Sequence, residues 1–281
     1  MDVTSRLVLA ATRFVSRHRR SLPVKLLGQT AYLFWRAYEN RSFDMQSNGE
    51  EWCVKKIATL KPRCIFDVGA NVGDWVELCK AEAPDATIHA FEIAPDTFKK
   101  LKQRVGESSK LHLNPFGLSD REAEIELYFP EASDYRATAY KENLTAAFEA
   151  PGESTPAVRT VKAQVLPGDD YARKNGIQEI DFLKIDVEGM EKSVLSGFKD
   201  MFSRRQIRAV QFEYNTTNIV SGFLLRDAYE LLGEFGYRVG KLYPNYVDFR
   251  DYHYRHEDFG GPNMIAVRSD DRELLKVLAG G

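Results

Sequence analysis

From residue 63 onward, short apolar clusters alternate with longer stretches whose apolar positions recur every third or fourth residue. Residues 64–68, 87–92, 111–114, 180–186 and 207–214 read as buried strands, and residues 74–81, 95–105, 191–198 and 224–235 as helices. Strand and helix taken in turn predict a doubly wound parallel sheet with helices on both faces. Residues 237–242 and 264–268 add a closing pair, giving a Rossmann-like α/β fold with a mostly parallel sheet of seven strands.

Two regions depart from this alternation. Residues 1–46 look helical, with Leu7, Ala10, Ala11, Phe14 and Val15 on one side and Arg6, Arg13, Arg17, Arg19, Arg20 and Lys25 elsewhere. A further helical segment through Ile57 and Leu60 leads to Pro62, so residues 1–61 are expected to be an N-terminal helical extension and residues 62–281 the main domain. A basic amphipathic helix permits docking on an anionic membrane surface or on a protein partner, and equally permits covering the main domain. The second departure is a polar insertion near residues 131–155, flanked by extended segments at 124–129 and 158–165, a candidate lid or substrate loop.

Charge narrows the partners. A formal net charge of −2 over 281 residues argues against nucleic acid, which favours a strongly basic domain or stripe. Cys53, Cys64 and Cys79 lack metal-ligand spacing and fit reduced structural thiols, so a cytoplasmic location is expected, with peripheral attachment at the inner membrane face left open by the basic helix. No run of about 18 apolar residues predicts a spanning helix, and the apolar run at residues 7–11 is too short for a signal-peptide core.

The chemistry is densest at Asp67-Val68-Gly69-Ala70-Asn71-Val72-Gly73-Asp74, where a buried strand gives way to a helix. Glycines let a backbone approach a ligand closely, and a helix N-terminus offers free N–H groups to an anion. Dinucleotide folds hold pyrophosphate at the same place, but the glycines here are not spaced G-x-G-x-x-G, and an Asp at the strand end suits a cationic ligand better than pyrophosphate. Glu92, closing the next strand, lies at the distance expected of a carboxylate that grasps ribose hydroxyls; as an alternative it caps the helix beginning near Pro95.

These stretches, with Phe91-Glu92, Asn114, Gly117-Leu118-Ser119-Asp120 and Asp181-Phe182-Leu183-Lys184-Ile185-Asp186-Val187-Glu188-Gly189-Met190-Glu191, resemble the FkbM family of methyltransferases over residues 63–268. The resemblance implies a class I, S-adenosylmethionine-dependent O-methyltransferase of the cytosol that methylates a hydroxyl of a sugar, glycan or glycosylated metabolite. It implies cofactor contacts from Asp67, Gly69, Ala70, Asn71, Gly73, Asp74, Glu92 and Asp186, with Gly117, Leu118 and Ser119 beside the adenine. Ile93-Ala94-Pro95 departs from the family, many of whose members have Pro immediately after the acid.

Methyl transfer to an alcohol requires alignment of donor and acceptor and removal of a proton. Asp186, Glu188 and Glu213 end or follow adjacent strands, where ligand sites of open α/β sheets form, and are candidate catalytic acids. They could also hold Mg²⁺. His253 and His256 offer an alternative base within an aromatic segment, Tyr243, Tyr246, Phe249, Tyr252 and Tyr254, suited to sugar stacking or to packing. Two other readings stay open: a cofactor-binding protein without turnover and a nicotinamide-dependent oxidoreductase on a related fold. Assembly into a homo-oligomer is also left open.

Overall fold

A computed structural model describes residues 3–130, 137–148 and 158–280. The chain forms two compact units, Met1–Ser42 and Phe43–Gly281. The first contains α1 (Val3–Arg17) and α2 (Leu22–Tyr38). α1 gives way to a turn at residues 18–20, and Pro23 enters α2 in its first turn, where its missing N–H costs nothing.

The second unit opens with α3 (Glu50–Ala58), whose Cys53, Val54 and Ile57 are buried in its core although the segment falls within the expected extension of residues 1–61. The strands are β1 (Cys64–Val68), β2 (Thr87–Phe91), β3 (Leu111–Asn114), β4 (Gly117–Ser119), β5 (Ala123–Pro130), β6 (Val158–Pro167), β7 (Ile180–Ile185), β8 (Ile207–Asn215), β9 (Tyr237–Tyr243), β10 (Tyr246–Phe249) and β11 (Gly260–Arg268). The helices after α3 are α4 (Asp74–Glu82), α5 (Pro95–Val105), α6 (Lys141–Phe148), α7 (Gly168–Lys174), α8 (Glu191–Ser196), α9 (Lys199–Ser203), α10 (Thr217–Ser221), α11 (Leu225–Glu234) and α12 (Arg272–Leu278).

The main sheet runs β10-β9-β11-β8-β7-β1-β2-β3. From β3 to β8 every neighbouring pair is parallel, whereas β11 is antiparallel to both β8 and β9. This is a Rossmann-like α/β sheet, with the expected closing pair and one strand more. The additional strand, β10, lies in the aromatic segment that pattern alone leaves as a loop. Pro244 and Asn245 form the two-residue turn after β9, and the rings of Tyr243 and Tyr246 stack across it with centroids 4.9 Å apart.

Strand periodicity divides the core. In β1, Phe66 and Val68 join a cluster with Phe91, Tyr171 and Phe198, while Ile65 joins the opposite cluster with Trp75, Cys79 and Leu101. A small second sheet, β4-β6-β5, lies between β3 and β7 in the chain. Of the insertion expected near residues 131–155, residues 131–136 and 149–155 lie outside the described residues. Between them Thr138 bridges to Tyr128 of β5, and α6 follows.

Candidate active site

β1 lies at the centre of the parallel strands, where the chain winds to β2 on one side and to β7 on the other. Such a switch point opens a crevice at the carboxyl ends of the strands. Here the crevice encloses about 830 Å³ of space, its open mouth included. It is lined by Gly69 and Asn71 after β1, Glu92 and Ile93 after β2, Gly117 and Leu118 of β4, and Asp186 and Glu188 after β7.

The loop after β1 is built from its own backbone. The N–H groups of Gly69 and Ala70 both donate to the Phe91 carbonyl at 2.9 Å, tying the end of β1 to β2. Gly69 has φ +88°, and a Cβ there would lie 1.8 Å from the Asp186 carbonyl oxygen, so only glycine lets the β1 and β7 loops close together. Gly73 serves a different neighbour: its Cβ would meet Val105 and Leu101 of α5 within 2.7 Å, so it permits helix packing.

Glu92 is oriented from both sides. One carboxylate oxygen accepts the Asn71 N–H at 2.8 Å and the other the Ala94 N–H at 2.7 Å. It therefore braces the chain just ahead of α5, without capping the first turn of that helix, and it also lines the crevice. Burial raises its pKa to about 7, with the two backbone N–H groups pulling down and Asp67 and Asp186 adding to the rise. Each oxygen keeps a second lone pair, the requirement for gripping a pair of hydroxyls.

Asp67 is placed elsewhere than expected. It follows the strand alternation, sharing the face of Ile65, and is fully buried with Lys184 Nζ 3.5 Å from Oδ1. In register it stands beside Lys184, which stands beside Gln211, a polar row crossing β1, β7 and β8. Gln211 in turn donates to Glu50 of α3 at 2.6 Å. Burial raises the Asp67 pKa to about 6 despite Lys184. Burial works against the Lys184 charge, but Asp186, Asp67 and Glu50 outweigh it and keep the ammonium protonated. The residue that pattern reading passed over is therefore Lys184, the buried cation between the two acids.

Asp186, unlike Asp67, reaches the crevice. Its backbone N–H donates to the Val68 carbonyl at 2.9 Å, and its Oδ2 is 3.1 Å from Lys184 Nζ. The side chain remains 39% exposed, so one end is anchored while the other faces the opening. Glu188 adopts φ +51°, and its carbonyl accepts from Thr138 Oγ1 at 3.0 Å and Asn143 Nδ2 at 3.3 Å. Beneath it, Glu191 Oε1 accepts the Val187 and Gly189 N–H groups at 3.3 and 3.2 Å and braces the turn. Burial lifts the Glu191 pKa to about 7.

Glu213, on β8, accepts from Asn215 Nδ2 at 2.6 Å and is not among the crevice-lining residues. Burial, and then the charges of Asp186, Glu188 and Glu191, push its carboxyl well above the ordinary range against a smaller pull from Lys184. A protonated carboxyl donates a hydrogen bond and cannot take a proton.

Other candidates lie away from the crevice. Asp74 pairs with Arg104 at 2.5 Å on the surface, and Ser119, buried in β4, donates to Asp120 at 3.2 Å. Ala70 is buried in the core cluster with Trp75 and does not line the opening. His253 is exposed: its Nδ1 accepts the Arg255 N–H at 3.1 Å, and its N–H donates to His256 Nδ1 at 3.0 Å. The segment is held by Glu257, which accepts from Tyr252, Tyr214 and the N–H groups opening α11. These histidines thus shape a turn. Among the described residues, no group of three His, Cys, Asp or Glu side chains is arranged to hold a metal ion. Lys184, Asn215 and the turn at 187–189 already engage the clustered acids.

Comparison with known proteins identifies the family. A family model, the methyltransferase FkbM domain, matches residues 67–239. Methyltransferase 1 of Beauveria bassiana is 28% identical over 48% of this chain and 58% of its own length. The 2-O-methyltransferase NoeI of Sinorhizobium fredii is 25% identical over 61% and 71%, and the 31-O-demethyl-FK506 methyltransferase of Streptomyces tacrolimicus 32% identical over 48% and 59%. The chain thus spans little more than half the length of two of these relatives. A solved FkbM methyltransferase from Methylobacillus flagellatus is 13% identical, with a TM-score of 0.43 over 74% of this chain and 43% of that one. With the family model covering most of the sheet unit and its cleft, the chain belongs to the FkbM methyltransferase family.

Proposed function

We propose that the protein is an S-adenosylmethionine-dependent O-methyltransferase acting on a hydroxyl of a sugar-containing acceptor, with Asp186 as the base. The carrying observation is the meeting of Gly69, Asn71, Glu92 and Asp186 at the carboxyl ends of three adjacent parallel strands. Glu92 would hold the ribose hydroxyls, Gly117 and Leu118 would flank the adenine, and the loop after β1 would receive the methionine end of the cofactor. Bound there, the cofactor would supply an activated methyl group to an acceptor oxygen near Asp186. The Asp186 carboxylate, held by Lys184, would take the proton of the acceptor hydroxyl as its oxygen gains the methyl group and S-adenosylhomocysteine is released.

The acceptor class rests on the relatives. One is named as a 2-O-methyltransferase, and a hexuronic acid methyltransferase of Haloferax volcanii is 27% identical over 47% of this chain and 48% of its own length. The test is incubation with methyl-labelled S-adenosylmethionine and a panel of uronic acids and neutral oligosaccharides. Labelled ether product in step with S-adenosylhomocysteine is expected, and is lost in Asp186→Asn. Tight S-adenosylhomocysteine binding with no transfer to any hydroxyl would favour a binding protein, and NAD binding in its place an oxidoreductase.

A further inference from the structure

The first compact unit carries apolar surface and positive charge that the crevice does not use. Between Val3 and Tyr38 the chain has Arg6, Arg13, Arg17, Arg19, Arg20, Lys25 and Arg36, and no Asp or Glu. On the helical period, Leu7, Ala10, Ala11, Phe14 and Val15 share one side of α1, and Arg6, Arg13 and Arg17 run as a file along its flank. α2 is more lopsided. Lys25, Gln29, Tyr32 and Arg36 make one narrow polar file, and most of the remaining circumference is apolar.

These side chains are exposed. Leu7 and Phe14 of α1 are 66% and 58% exposed, Leu33 and Phe34 of α2 63% and 72%, and α2 buries none of its residues. Contiguous apolar surface of this kind marks a contact. Among the described residues no helix is long and apolar enough to cross a membrane, so a bilayer would be met along its surface.

We propose that α1 and α2 dock on an anionic lipid surface, their apolar sides entering the acyl boundary and their cations meeting headgroup phosphates. Charge selects this occupant. A second copy of the same surface would bring two sets of these cations together with no carboxylate in either helix to offset them. An anionic bilayer supplies apolar depth and a negative layer together, in the order that the two sides of α1 require. Trp35, with the Arg41 guanidinium 3.9 Å over its ring, is an aromatic-cation pair suited to headgroup depth.

The test is co-sedimentation of the full chain with mixed phosphatidylcholine–phosphatidylglycerol vesicles and with pure phosphatidylcholine vesicles. Binding to the mixed vesicles is expected to exceed binding to the neutral ones by at least roughly tenfold, and to weaken as far when salt rises from about 0.05 M to about 0.5 M. Leu33→Ser with Phe34→Ser, and separately Arg13→Glu with Arg17→Glu, should each reduce binding by roughly tenfold while the thermal transition of the sheet unit is unchanged. The Trp35 emission should shift to the blue on binding, read as the difference from Trp35→Phe. No binding to the mixed vesicles, or equal binding to both kinds, would overturn the proposal. So would a salt-resistant dimer in light scattering that Leu33→Ser with Phe34→Ser makes monomeric, which would assign the face to a second copy.

Discussion

A side-chain carbon on Gly69 would fall 1.8 Å from the Asp186 carbonyl oxygen, so the loops that end β1 and β7 touch through their main chains. The proposed cofactor loop and the proposed base are set against each other by that contact. Gly69→Ala must both adopt a left-handed φ and push a backbone carbonyl away, and should destabilise the protein by at least about 2 kcal/mol. Thermal unfolding followed by circular dichroism measures the loss, and calorimetry should find cofactor affinity gone even where the variant remains folded. A variant with wild-type stability and affinity would contradict the contact.

Glu92 predicts a pH dependence of binding. Its pKa in the folded protein is about 7, above the ordinary carboxylate value, so part of the population is protonated at neutral pH. Gripping two hydroxyls needs the ionised form; affinity for S-adenosylhomocysteine should therefore rise with pH up to about 7 and level off above it. Binding should also release protons, seen by calorimetry in buffers of different ionisation enthalpy. The stability term has the opposite sense: a raised carboxyl pKa favours the folded protein at low pH, and that contribution is lost as pH rises between the unfolded value and about 7. Glu92→Gln should flatten the affinity profile.

The acids divide by environment. Asp186→Asn should lower turnover by about a hundred- to ten-thousandfold with little change in cofactor affinity, because the amide keeps the shape and cannot take a proton. Burial and the neighbouring acids push the Glu213 carboxyl well above its ordinary range, which favours the protonated form that Gln resembles, so Glu213→Gln should retain turnover to within about tenfold. Single-turnover kinetics with labelled cofactor separates the two. Loss in Glu213→Gln as deep as in Asp186→Asn would reassign the base.

Lys184 joins fold to site. It is 5% exposed and lies between Asp67 and Asp186, so Lys184→Met leaves a buried carboxylate without its cation. That should cost about 3–5 kcal/mol. Adding Asp67→Asn should restore much of the stability but none of the turnover, because Asp186 would still lack its anchor. Denaturant unfolding and activity of the single and double variants give the cycle.

The parallel strand order, the glycine turn after β1 and the position of Glu92 were legible because each follows from local pattern: apolar runs, spacing and strand ends. The direction of Asp67 was legible too, had the alternation been followed through Ile65, Phe66 and Val68, which puts the acid on the face of Ile65 and away from the ligand side. Lys184 carries no such local sign; only the register of β1 with β7 turns it from an oddity in a buried strand into the partner of two acids. His253 misled because its composition suits a base, whereas its hydrogen bonds to Arg255 and His256 close a turn. β4, three residues long, and β10, set within the aromatic segment, carry no local strand pattern and take their structure from their partners.

The central claim is that the crevice at the end of β1 holds S-adenosylmethionine with Glu92 as the ribose grip. Calorimetric titration of the full chain with S-adenosylhomocysteine, wild type beside Glu92→Ala, tests it most directly. One site per chain is predicted for the wild type, with affinity about ten- to a hundredfold weaker in the variant, the loss expected for a charge-assisted hydrogen-bond pair. An absence of binding heat in the folded wild type, or equal affinity in a folded Glu92→Ala, would contradict it.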